Sequence, residues 1–274
     1  MRKGKAGMLA LMLATTGFPA QAQPTPSHLD RVRQEGEIRV CIWPEYYAIT
    51  YRDTRTGTLE GIDIDLAREL AKDLAVTVRF VDSSFKTLIA DLTGDTCDVS
   101  MHGIGITAAR QEKLDFTQPH LISGIYAITT QTSPAVQSWA DVDKPGIIVA
   151  AQAGTYMVEV MKASLKQASL SVVASPEARE QEVMSGRADA FVTDYPYSRK
   201  MLARHDWAKL LTPPQPLAPT PYAYAINKGD PRWLATLNAF VTRIKQDGRL
   251  ARAARDNGLE AIVAPEPKSQ AAQP

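Results

Sequence analysis

The sequence predicts an α/β protein of two lobes, each a mostly parallel sheet flanked by helices, with two hinge strands joining them. Three observations lead there. The order strand–helix–strand–helix–strand runs twice along the chain, over residues 38–102 and again over 146–193; that order builds an open, mostly parallel sheet with helices on both faces. Two extended stretches, 125–130 and 213–226, leave the first half and return to it, so one lobe uses two sequence segments and the other uses one. The 274 residues are 45% hydrophobic and 22% charged, enough for two modest cores and unlike disordered, collagen-like or coiled-coil chains.

Residues 1–22 read as a secretory signal. Arg2, Lys3 and Lys5 form a positive start, residues 8–14 (MLALMLA) an apolar block, and Ala20-Gln-Ala22 a small-x-small cleavage site. A buried N-terminal helix is the other reading, and the order of these three parts argues against it. Cleavage removes three of the 31 basic residues and none of the 30 acids, leaving 28 against 30 and a net charge of −2. Such a chain is expected in the periplasm. It has no basic surplus for nucleic acid or for an anionic membrane surface. Mean hydropathy is −0.20, and no apolar run approaches the ~18–20 residues of a membrane span. No cysteine follows the cleavage site, so no lipid anchor is implied. Export means an oxidising compartment. The two cysteines, Cys41 and Cys97, sit at strand positions without metal-ligand spacing; a disulfide and two buried thiols both remain open.

The elements follow in order. Residues 23–35 are a leader whose Pro-rich start, 23–30, is expected to be flexible. Residues 38–42 (IRVCI) are an apolar run between Gly36 and Pro44, hence a strand. Residues 53–57 are a turn. Gly61 opens a helix with Leu66, Leu70 and Leu74 on one face and Asp63 as expected N-cap. Residues 76–81 alternate as a strand, 84–92 form a helix ended by Gly94, and 98–102 form the next strand. In the second half, 146–151 and 170–174 are strands, and Gly154-Thr155 opens a helix. Ser175-Pro176 supplies a cap and a proline at the first helical position, and 188–193 is the third strand. The stretch 213–226 carries five prolines and ends in alternating Tyr222-Ala-Tyr-Ala-Ile226. Asp230-Pro231 then caps a final helix with Trp233, Leu237, Phe240, Val241 and Ile244 on one face. The expected division is lobe 1 at 36–127 plus 223–262, lobe 2 at 128–222, and a disordered tail at 263–274. Ligands of such sheets bind beyond the strand C-termini, which here means the cleft between the lobes.

One segment carries most of the chemistry: Asp98-Val-Ser-Met-His-Gly-Ile-Gly-Ile-Thr-Ala-Ala-Arg110. A strand is expected to end at His102, and a Gly-x-Gly turn to follow. Gly103 and Gly105 let backbone approach a ligand, and Thr107 caps a helix start rich in free N–H groups. Arg110 lies in the first turn, where its fork can hold a carboxylate with two parallel bonds. The plainer reading makes Thr107 only a cap and Arg110 a surface ion pair. The Gly-x-Gly is too short for a dinucleotide fingerprint.

This segment, together with residues 61–70 (GIDIDLAREL) and 187–194 (RADAFVTD), resembles the bacterial extracellular solute-binding proteins of family 3, the polar-amino-acid type that serves ABC transporters. The likeness spans roughly residues 36–260. It implies the periplasmic-binding-protein type II fold, hinge bending, and capture of an amino acid or similar zwitterion for an inner-membrane ABC permease. It implies no catalysis, cofactor or metal, and a monomer. Carried over by position, Asp194 holds the ligand ammonium, and Gly154-Thr155-Tyr156 meets the carboxylate from the second lobe. Tyr46 and Phe85 sandwich the ligand side chain; Phe85 could equally be plain core. Binders of basic amino acids in the family carry an acid and a serine where Trp43 and His102 stand. His102 is then a hydrogen-bond donor, a titrating switch or an ordinary satisfied histidine. The expected ligand-binding set is Tyr46, Phe85, His102, Gly103, Gly105, Thr107, Arg110, Thr155, Tyr156 and Asp194.

Two other functions share the fold. Cyclohexadienyl dehydratases carry a glutamate acid three residues beyond the aspartate, and Tyr197 stands at that position. Only Glu45 could revive such a reading, as an acid of raised pKa. No nucleophile elbow or His-Glu-x-x-His is present. A ligand sensor acting through a separate receptor is the third class.

Overall fold

The computed structural model describes residues 27–265. The expected signal segment and residues 266–274 of the expected tail lie outside the described residues. The described residues open on a helix, α1 (His28–Glu35), inside the segment read as a leader. Ser27 caps it, and Leu29 and Val32 turn inward. Its start is anchored from far away: the Ser27 hydroxyl and the His28 amide both donate to the Asp230 carboxylate at 2.7 Å. That anchor is 203 positions distant, so local composition could not announce it.

The first lobe continues with β1 (Glu37–Ile42) and a small antiparallel sheet of β2 (Glu45–Tyr46), β3 (Thr50–Arg52) and β4 (Leu59–Glu60). There follow α2 (Ile62–Leu74), β5 (Thr77–Asp82), α3 (Leu88–Thr93), β6 (Val99–Gly105), a single turn of helix α4 (Ala108–Gln111) and β7 (Leu114–Phe116). β1 pairs in parallel with both β5 and β6. Cys41 and Cys97 form a disulfide that ties β1 to the approach to β6.

The chain then crosses on β8 (Leu121–Thr130) into the second lobe: β9 (Ile148–Gln152), α5 (Tyr156–Ser164), β10 (Ser169–Val173), α6 (Pro176–Met184), β11 (Ala190–Thr193), α7 (Tyr195–Arg204) and β12 (Ala208–Leu211). β9 pairs in parallel with β10 and β11. It returns on β13 (Leu217–Asn227), followed by α8 (Pro231–Gln246) and α9 (Arg249–Asp256). The strands run β10-β9-β11-β8-β13-β6-β1-β5. The two lobes are thus joined through the antiparallel pair β8–β13, which meets at Ser123 and Thr220 and at Leu121 and Tyr222. We propose to divide the lobes within these two strands, near residues 127 and 222.

Four local expectations are corrected, the first two by partners far along the chain. The cap of α2 is Gly61, and Asp63 turns inward instead. It is fully buried and satisfied: it accepts from the Gly103 amide at 2.8 Å and pairs with His120 Nε2 at 3.0 Å. A buried carboxylate needs such partners. The second correction concerns β6, which runs on to Gly105 because β13 pairs with it at Ile104 and Gly105; the two glycines sit inside a strand rather than a turn. Third, α3 starts at Leu88, so Phe85 lies in the turn before it. Fourth, α8 is not the last helix, since Gly248, at φ 81°, turns the chain into α9. Val263 bridges Leu121 and the Ala264 amide donates to the His120 carbonyl, so both belong to the packed structure.

Candidate functional site

β6 and β11 run out at Gly105 and Thr193, and the residues after each strand meet across the hinge. From the first lobe comes Arg110, only 7% exposed. Thr107 caps its turn, accepting from the Arg110 amide at 3.3 Å. The guanidinium donates to the Gly105 carbonyl at 2.8 Å and, across the cleft, to the Gly154 carbonyl at 3.1 Å. It also lies 5.5 Å from the centre of the Phe85 ring. Among the described residues no carboxylate stands within ion-pair distance of it. Burial lowers its pKa to about 10, still far above neutrality, so the group stays cationic.

From the second lobe comes Asp194, 2% exposed. It caps α7, accepting from the Tyr197 amide at 3.2 Å. Its other oxygen accepts from the Tyr222 hydroxyl at 2.7 Å and from the Tyr46 hydroxyl, which reaches over from the first lobe. It too has no ion-pair partner among the described residues. Burial, with Asp194 close by, pushes both phenols well above the usual tyrosine range; they remain donors.

An aromatic wall connects these charges. Trp43 stands 5.2 Å from Tyr46 and from Phe85, ring centre to ring centre, and Tyr46 stands 5.8 Å from Phe85. His102 packs behind Phe85 at 5.2 Å. On the far side Thr155 precedes α5 and donates to the Gln152 carbonyl at 2.8 Å, and Tyr156 packs 6.4 Å from Tyr222. A cavity of about 610 Å³ opens beside Arg110, bordered by Thr107, Gly154, Thr155, Tyr156 and Thr220.

The lobes are closed on each other. The chain at Gly154 lies so near Phe85 and Lys86 that a Cβ there would stand 3.0 Å from the Lys86 nitrogen, and its φ is 81°. Glycine is the residue that permits both. At the outer edge Arg204 of α7 donates to the Tyr51 hydroxyl at 3.0 Å and lies 5.0–5.1 Å over the Tyr51 and Tyr47 rings.

Of the ten expected residues, Thr107, Arg110, Thr155 and Tyr156 border the cavity, Phe85 lies against Arg110 and Tyr46 against Asp194, while His102, Gly103 and Gly105 are packed among protein atoms. Gly103 cannot offer its amide to a ligand, because Asp63 takes it. Its absent side chain makes room for Tyr46, whose ring a Cβ would meet at 2.9 Å. Gly105 likewise faces protein, Thr220 and Tyr156, and contributes its carbonyl to Arg110. α4 is only one turn long, so the Arg110 guanidinium, and not an extended helix terminus, is the cationic group here. Sequence reasoning missed Tyr222 as a partner of Asp194; the alternation along 222–226 was its only signal. Tyr197 is 1% exposed in the core of the second lobe, its hydroxyl donating to Glu180 and accepting from Lys200 at 2.9 Å. Burial pushes it above the usual tyrosine range. Glu45 is exposed as a residue, but partial desolvation of its carboxyl, with Glu177 nearby, raises its pKa.

His102 makes a testable prediction. It is fully buried, its Nδ1 lies 3.4 Å from the Cys41 carbonyl, and Nε2 has no hydrogen-bond partner. Burial, aided by Arg110, pushes its pKa down to about 4. The folded state thus binds fewer protons than the unfolded one between about 6.5 and 4, so stability falls as pH drops through that window. Urea unfolding should show a loss of roughly 2–3 kcal/mol from this group between pH 7 and 4.5. His102→Gln should flatten that part of the acid limb; an unchanged limb would count against a buried neutral imidazole.

Comparison with known proteins agrees with this geometry. Residues 38–258 match the family model for bacterial extracellular solute-binding proteins, family 3. The chain is 30% identical to a cyclohexadienyl dehydratase of Pseudomonas aeruginosa over 212 residues, covering 77% of this chain and 79% of that one. It is 25% identical to the L-cystine-binding protein TcyJ of Escherichia coli K12 over 256 residues, 91% and 92% of the two chains. Among solved structures, the ancestral amino acid-binding protein AncCDT-1, a precursor of cyclohexadienyl dehydratase, superposes with a TM-score of 0.76 at 32% identity, covering 84% of this chain and 99% of that one. A binding component of an ABC transporter from Wolinella succinogenes, complexed with lysine, gives 0.74 at 30%, covering 81% and 95%. With the family model spanning most of its length and the two-lobed fold in place, the chain belongs to the bacterial extracellular solute-binding proteins of family 3.

Proposed function

We propose that the protein is exported through a cleaved signal peptide to the periplasm, works there as a monomer, and captures an amino acid or similar small zwitterion for an inner-membrane ABC permease. One observation carries this reading. A buried cation from one lobe, Arg110, and a buried anion from the other, Asp194, stand where the lobes meet, and among the described residues neither has a counter-ion. A buried charge without a partner is costly; a zwitterion would supply both partners at once through charge-assisted bonds. Hinge opening between β8 and β13 would admit it. Relatives named as binding amino acids support the ligand class.

A dehydratase is the competing reading, favoured by the 30% identity to such an enzyme. Against it stands Tyr197, a buried phenol of raised pKa where the resemblance expects a glutamate. A thermal-shift screen of the mature protein against the common amino acids and small carboxylates separates the two. A ligand at 100 times its Kd stabilises by about 2.7 kcal/mol, an easily read shift. We expect an amino acid to give it and prephenate or arogenate to be recovered unchanged. Steady dehydration of either would displace the capture reading.

A further inference from the structure

Resting on the capture reading, we infer that the ligand's side chain is uncharged and ring-bearing, and that Trp43 and Phe85 select it with His102 as their backing. The wall of Trp43, Tyr46 and Phe85 is tied to a charged group at each end: Tyr46 donates to Asp194, and Arg110 lies over Phe85. A head group spanning Arg110 and Asp194 therefore lays its side chain along the rings. Such faces favour a flat apolar partner, stacked or edge-on.

The charges exclude the alternatives. With carboxylate on Arg110 and ammonium on Asp194, the site is neutral. A cationic side chain would find no free acid in the wall. Glu45, two residues on from Trp43, is exposed and has Glu177 and Lys200 of the other lobe nearby. Aromatic faces can hold cations, yet Arg110 already occupies Phe85, and a second cation would meet its charge. An acidic side chain would lack a second cation. His102, fully buried against Phe85 with Nε2 unpartnered, adds a neutral polar edge and no charge. The inference separates this chain from the Wolinella relative solved with lysine.

Titration calorimetry of the mature protein with L-phenylalanine, L-leucine, L-arginine, L-lysine and L-glutamate tests this. Phenylalanine is expected to bind at least tenfold tighter than arginine, lysine or glutamate. Phe85→Leu, checked for native circular dichroism, should weaken phenylalanine at least fivefold and change leucine less than twofold. Arginine or lysine within tenfold of phenylalanine, above all if lost on Glu45→Gln, overturns the inference and leaves amino-acid capture standing. Silence towards all five, with any other amino acid also inert in the screen, overturns both.

Discussion

Arg110→Ala will abolish the ligand-induced rise in melting temperature, and Asp194→Asn will discriminate between ligands. Truncating one partner of a buried, hydrogen-bonded charge pair costs about 2–5 kcal/mol, which is roughly 30-fold to several thousand-fold in affinity. Arg110 sits at the upper part of that range because it is 7% exposed, holds its fork between carbonyls of both lobes and, among the described residues, has no carboxylate partner. Arg110→Lys keeps the charge but not the two-pronged geometry, and should recover only part of the loss. Asparagine at 194 still caps a helix well, so α7 survives while the charge disappears. Amino acids should then weaken strongly and plain monocarboxylates hardly at all. An undiminished shift in Arg110→Ala would remove that residue from the site.

The disulfide predicts the largest effect on stability. Cys41 and Cys97 are 56 positions apart and at most 1% exposed, among Leu88, Leu92, Ile104 and Leu114. Closing a loop of that length restricts the unfolded chain by about 2–4 kcal/mol. For a protein of this size that corresponds to a fall in melting temperature on the order of 10 °C. The double variant Cys41→Ala with Cys97→Ala should melt lower by about that amount, and wild type reduced before heating should melt with it. A reduced protein that melts at the oxidised temperature would show that the bridge contributes nothing.

What the sequence made legible were features whose cause is local. Ser175 and Pro176 start α6, Asp230 caps α8, and Thr107 caps the turn that carries Arg110, because a cap acts on amides two or three residues away. The cleft charges were legible for a related reason: each follows a strand end, and the topology sends strand ends to the cleft. Misreadings occurred where a partner lies far along the chain. Asp63 looked like a cap until Gly103 and His120 claimed its carboxylate. Gly103 looked like an open amide donor until Asp63 took it, and the start of α1, residues 28–30, fell in a stretch expected to be flexible, although Asp230 anchors it. Tyr222 was invisible as a site residue because its value lies in where β13 sets it down, opposite Asp194. The disulfide stayed open because nothing in the spacing of Cys41 and Cys97 says that β1 and β6 are neighbours; the β1–β6 pairing does.

The central claim is that a cation from one lobe and an anion from the other grip the two ends of one zwitterion. A crystal structure of the mature protein grown with the amino acid that most raises its melting temperature tests it most directly. The account predicts the ligand carboxylate within hydrogen-bond distance of the Arg110 guanidinium and the ammonium on Asp194, displacing at least one of the Tyr46 and Tyr222 hydroxyls. A ligand bound elsewhere, with Arg110 still confined to Gly105 and Gly154 and Asp194 still held by its two tyrosines, would contradict it.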